Sequence, residues 1–166
     1  MTCSPFLALE RQLDDLMDVL VGLDAALYVS RPAPSVSGSI GEHVRHTLDH
    51  VAALLASHAA AALSYDRRER GTSVETDPDA GLQEIARLKA ALAQSAGRSL
   101  TEPIQVEAMI AVSGETVRAW STLARELAFV LSHTIHHQAM IALLLDRHGI
   151  GVPGRFGHSP ATPGLR

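Results

Sequence analysis

Lysine is almost absent from this chain of 166 residues: Lys89 is the single one, and the other 13 of the 14 basic residues are arginines. Set against 18 acidic residues they leave a net charge of −4, so no basic surface is at hand to hold a phosphate backbone, and nucleic acid is excluded as an expected partner. Aromatic residues make up only 4%, so the core has to come from Leu, Val, Ile and Ala, a composition that favours closely packed helices over a β-sandwich. The one cysteine, Cys3, cannot form an internal disulfide and lies near the start of the chain, where it makes a poor catalytic thiol. No continuous apolar run approaches the ~18 residues of a membrane span, and Met1 to Pro5 lacks the basic segment of a secretion signal. The expectation is a cytoplasmic protein with no membrane partner. Its length suits one domain over residues 1–166, with 151–166, rich in Pro and Gly, as a loop or tail.

The apolar residues that are present recur at helical spacing. Phe6, Leu9, Leu13, Leu16, Leu20, Leu23 and Leu27 predict an amphipathic helix over 6–28. After a Pro- and Gly-containing crossing at 31–38, Ser39 and Glu42 form a capping-box pair that opens a second helix, expected over 40–64. Residues 65–77 are too polar for a core element and read as a loop. Asp77 before Pro78 is an N-cap followed by proline at the first helical position, and Leu82, Ile85, Leu88 and Leu92 carry a third helix to Gly97. Alternation through Ile104, Val106, Ala108 and Ile110, with Ser113-Gly114 before Val117 and Trp120, predicts a small β-hairpin. Helical spacing returns from Ser121 to His148 and stops at Gly149. Four amphipathic helices in one small domain predict an all-α four-helix bundle, with the hairpin before the last helix. Trp120, the sole tryptophan, is read as core or dimer-interface packing.

What the chain has in excess is histidine, nine in all. His43, His46 and His50 are spaced three and four residues apart on the second helix, so they share one face. His133 and His137 have the i, i+4 spacing at which two imidazoles can bind one ion, and His136 lies within the same turn. Bundles build metal sites from inward-facing side chains on facing helices, and two histidine-bearing helices supply the material. Asp49, Asp66 and Glu126 are candidate acceptors for the second imidazole nitrogen. The competing structural reading is a pH-sensitive polar seam with no metal, and for His58, His148 and His158 a solvated or merely hydrogen-bonded role is the expectation. In the loop after the histidine helix, Tyr65, Asp66 and Arg68 are candidate substrate-binding residues, since an arginine fork can hold a carboxylate. Arg155, Phe156 and His158 are candidates for a lid over the site.

The run from Ser39 to His46, the loop Tyr65 to Arg68, Arg125-Glu-Leu127 with His133-Thr-Ile-His-His137, and the tail Phe156 to Thr162 resemble the DinB-like superfamily, over about residues 6–162. The resemblance implies an up-down-down-up four-helix bundle that holds one divalent ion through three histidines. It places the HxxxH pair on His133 and His137 and the first ligand on His46, with His43, His50 and His136 as additional or alternative ligands. Imidazole ligands admit zinc or nickel foremost, and iron or copper. Some members are similar to metal-dependent thiol transferases, which implies a low-molecular-weight thiol as co-substrate and a small electrophilic molecule as substrate. Many members have no assigned activity, and the loop found here resembles an uncharacterised branch. Two functions therefore stand side by side: a metal-dependent enzyme that activates a thiol or water, of the transferase or hydrolase kind, and a non-catalytic metal-binding or stress-response protein. A homodimer is expected in either case.

Overall fold

The computed structural model of the chain describes residues 4–31, 38–57, 61–67 and 70–162. The chain is mostly helical. In order it forms α1 (Pro5–Leu20), α2 (Ala25–Val29), α3 (Ile40–Leu55), α4 (Ser73–Thr76), α5 (Pro78–Ser95), the strands β1 (Pro103–Met109) and β2 (Thr116–Thr122), and α6 (Leu123–Asp146). Of the four long helices, α1 and α3 each pack against both α5 and α6, so the four enclose one core. That core is aliphatic: Leu9, Leu13 and Leu16 of α1, Val44 and Val51 of α3, Ile85 of α5 and Leu127, Val130 and Ile141 of α6 are fully buried. By length and composition alone α6 would pass for a membrane span, but here it lies between α1 and α3.

Several helix boundaries follow directly from local chemistry. Ser39 Oγ accepts from the Glu42 amide at 3.2 Å while Glu42 Oε2 accepts from the Ser39 amide at 2.7 Å, which is the predicted capping box. Asp77 caps α5 by accepting from the Asp79 amide, with Pro78 in the first turn. The hairpin is present as an antiparallel β1–β2 pair, turned at Gly114 with φ +98°.

Four expectations are corrected. The first helix ends at Leu20 and not at 28, because Gly22 takes a left-handed φ of +76° and the chain restarts as α2, capped by Asp24. Leu27 nevertheless packs at the core's edge, and Tyr28 is fully buried with its hydroxyl donating to the Val74 carbonyl at 2.7 Å. The second helix ends at Leu55 and not at 64: Leu63 is taken into a bridge with Val106 of β1, which requires extended backbone there. His58 lies outside the described residues. Within the polar loop, residues 73–76 form the one-turn helix α4, which packs on α3 so closely that a Cβ at Gly41 would collide with the Glu75 carbonyl. Trp120 is no core residue; it is 72% exposed on β2.

Candidate metal centre

The ring contacts between α3 and α6 run in opposite numerical order: His43 meets His137, His46 meets His133, and His50 lies against Phe129 and His133. The two helices are therefore antiparallel at this seam, and each turn of one sets an imidazole beside an imidazole of the other. The i, i+3 and i, i+4 spacings that put three histidines on one stripe of α3 also put Phe129, His133 and His137 on one stripe of α6.

The nitrogen positions are close. His46 Nε2 and His133 Nε2 are 3.0 Å apart, and His137 Nε2 and His133 Nε2 are 3.2 Å apart. Nitrogens that share one ion with bonds of about 2.1 Å are separated by roughly 3.0 Å at right angles and roughly 3.4 Å at tetrahedral angles, so each of these two separations suits a pair of ligands on one divalent cation. A second group overlaps the first: ring nitrogens of His46, His50 and His133 all lie within 4.8 Å of one another. His46 and His133 belong to both groups, with His50 on one side and His137 on the other.

The hydrogen bonds orient two of these rings. His50 Nδ1 is 2.9 Å from the His46 carbonyl, to which it can only donate, so the neutral ring keeps its lone pair on Nε2. His137 Nδ1 is 3.0 Å from His43 Nδ1, and one of the two must donate to the other. Burial, followed by the neighbouring His133, His46, His43 and His136, holds His137 far below the usual imidazole value, at about 2. It is a neutral imidazole across the physiological range.

Aromatic and carboxylate groups close the seam at the His50 end. The Tyr65 ring stacks on His50 with centroids 5.0 Å apart and planes 5° apart. Its hydroxyl donates to Glu126 Oε2 at 3.0 Å, and Ser121 Oγ donates to Glu126 Oε1 at 2.6 Å. Burial and the Glu126 carboxylate push the Tyr65 hydroxyl well above its ordinary value, which keeps it a donor. Sequence reading did not single out Phe129 or Ser121, although Phe129 stands four residues before His133 and so had to share its face.

The remaining candidates fall elsewhere. His136 is exposed, with its ring 5.2 Å from that of His137. Asp66 is exposed and accepts from the Met109 amide at 2.7 Å, so it braces the hairpin. Asp49 pairs with Arg45, which also pairs with Glu75. Arg68 lies outside the described residues. In the tail, Phe156 is buried in the core, while Arg155 and His158 line a cavity of about 470 Å³ against Arg11, Gln12 and Asp15 of α1, on the side of α6 that carries Leu131 and Ile135.

The sequence profile of the DinB superfamily matches residues 8–141, which take in most of α1 and every histidine of the seam. The chain belongs to the DinB superfamily. Among curated proteins, a stretch of 101 residues, 60% of this DinB-superfamily chain, is 32% identical to a Rhizopus delemar protein called FK506-binding protein 5. The chain spans about a quarter, 26%, of that relative's length. No solved structure matches it.

Proposed function

We propose that this DinB-superfamily protein binds one divalent metal ion between α3 and α6 of an up-down-down-up four-helix bundle and uses it to act on a small electrophilic molecule. The observation that carries the reading is the cluster of His46, His50 and His133 ring nitrogens within 4.8 Å of one another, with His137 Nε2 3.2 Å from His133 Nε2. A bound zinc, nickel or iron ion would bring a thiol or water to its reactive, deprotonated form near neutral pH. The chain supplies the rest. In this reading His43 Nδ1 accepts a hydrogen bond from the Nδ1–H of His137, which leaves Nε2 of His137 as the ligand atom. Tyr65, pinned by Glu126, covers the flat face of His50 and shields that end of the seam from water. The proposed activity is of the thiol S-transferase or hydrolase kind, with a low-molecular-weight thiol as co-substrate in the first case. Of the candidate substrate-binding residues, Tyr65 lies beside the histidines, whereas Asp66 is held by the Met109 amide.

A second reading draws on His50. With four imidazoles around His133, namely those of His46, His50 and His137 and its own, the ion can be fully enclosed, as in a structural site. The protein would then bind metal without catalysing. Elemental analysis of protein purified without nickel resin, next to His133→Ala and His137→Ala, tests the common core of both readings: about one ion per chain is expected, and it should be lost in His133→Ala. Turnover of an electrophile with added thiols then separates them. A chain that holds no zinc, nickel or iron overturns both.

A further inference from the structure

Among the described residues the strand β2 is an open sheet edge, and its hydrogen bonds show which of its backbone groups are committed. β1 and β2 pair in the register Gln105↔Trp120, Val106↔Ala119, Glu107↔Arg118. The Ile110 amide donates to the Glu115 carbonyl at 2.8 Å, so by the alternation of an antiparallel ladder Val117, Ala119 and Ser121 bond to β1. On the far edge of β1, the Leu63 amide donates to the Gln105 carbonyl and the Glu107 amide donates to the Leu63 carbonyl, so residues 105 and 107 face away from β2. It follows that the N–H and C=O groups of Thr116, Arg118 and Trp120 point outward from the sheet, while Thr122 is the N-cap of α6 and its carbonyl is given to the first turn of that helix. Pro103, which has no N–H, stands opposite Thr122, where the ladder needs none.

Natural edges are blunted by proline, lysine, bulges or a covering element. Here residues 116–120 are all exposed, β2 contains no proline or lysine, and the β1–β2 register runs without a bulge. Its one charge, Arg118, is already paired with Glu107 across the hairpin. Trp120 is 72% exposed on the same face.

We infer that β2 is a dimerisation edge: two copies of this chain pair their β2 strands antiparallel about a twofold axis at Ala119 and form one continuous four-stranded sheet. Symmetry selects this register. Centred on Ala119, Arg118 stands opposite the partner's Trp120, so the outward backbone groups of both residues find mates twice by symmetry, and Thr116 meets the amide of the partner's Thr122. Centred on Arg118, the two guanidinium groups would oppose each other; centred on Trp120, the outward groups of Thr116 would be left over. The chosen register brings each Arg118 over an indole, twice by symmetry, with Glu107 behind it to balance the charge. The inference does not rest on the metal reading.

Sedimentation velocity over a rising concentration series of the full chain tests it, together with tryptophan emission, because Trp120 is the only tryptophan. The expected result is a monomer-to-dimer change in mass accompanied by a shift of the emission to shorter wavelength. Trp120→Lys sets a like charge against the partner's Arg118, and Arg118→Pro removes one outward N–H while sparing the bonds to β1. Each should raise the dimer dissociation constant about tenfold or more at unchanged helical circular dichroism. A wild-type chain that stays monomeric overturns the inference, as does a dimer whose tryptophan emission remains that of an exposed indole. Should either variant misfold, the wild-type emission still decides.

Discussion

Two seams run along α6. Toward α1 the helix meets leucine: Leu9, Leu13, Leu16 and Leu20 are all 0–1% exposed, and Gln138 donates to the Gln12 carbonyl at 2.8 Å. Toward α3 it meets imidazole after imidazole, from His43 at one end to His50 and Tyr65 at the other. The first seam is held by the removal of apolar area from water, which no proton or ion can alter. The second is held by groups whose donor and acceptor roles depend on their protonation, so its state is open to chemistry. One helix thus serves a core on one side and a candidate site on the other.

The largest effect that would sharpen this contrast is on metal retention. His133 is shared by both overlapping nitrogen groups, so His133→Ala should abolish stoichiometric metal in elemental analysis while helical circular dichroism stays near wild type. Leu13→Ala should do the reverse, costing about 2–5 kcal/mol in denaturant titration with the metal content unchanged. Loss of metal in Leu13→Ala would break the separation of the two seams.

In metal-free protein the seams should also differ in pH response. His137 stays neutral in the fold down to about 2 but takes up a proton near 6.5 once unfolded, so below about 6.5 the unfolded state binds more protons. The contribution is fully present above that pH and is lost as the pH falls from 6.5 toward 2. Urea midpoints on either side of 6.5 should show the decline in wild type and the same slope in Leu13→Ala. A slope unchanged in His137→Gln would remove His137 as its source.

Smaller effects test the edges of the two regions. Gly157 has φ +73° and a Cβ there would sit 2.6 Å from Ala139 Cα, so Gly157→Ala should cost about 1–3 kcal/mol and speed hydrogen exchange in residues 151–162. Ser39→Ala, which removes the cap of the histidine helix, should cost about 1 kcal/mol in thermal or denaturant unfolding.

Much of the architecture was legible because it depends on neighbours in the chain. The capping box at Ser39, the Asp77-Pro78 start and the hairpin around Gly114 are local motifs, and each appears where residue chemistry called for it. The apolar stripes of α1, α3, α5 and α6 were likewise visible as periodicity. The end of α1 was misplaced because Leu23 and Leu27 continue the leucine spacing past Gly22, and periodicity alone does not register a left-handed glycine. The core alternative for Trp120 failed because a large aromatic suggests burial, whereas its strand is the outer one of a two-stranded sheet.

The sequence by itself determined the helical class, the two histidine stripes and the DinB likeness, since spacing along a helix dictates which side chains share a face. Which histidines meet was beyond it. The antiparallel packing of α3 on α6 pairs His46 with His133 and His43 with His137, puts Tyr65 on His50 and leaves His136 in solvent. Asp66, close to Tyr65 in sequence, is drawn off to the hairpin. These are contacts between residues up to 94 positions apart, and the relative rotation and direction of two helices, set by the whole core, decide them.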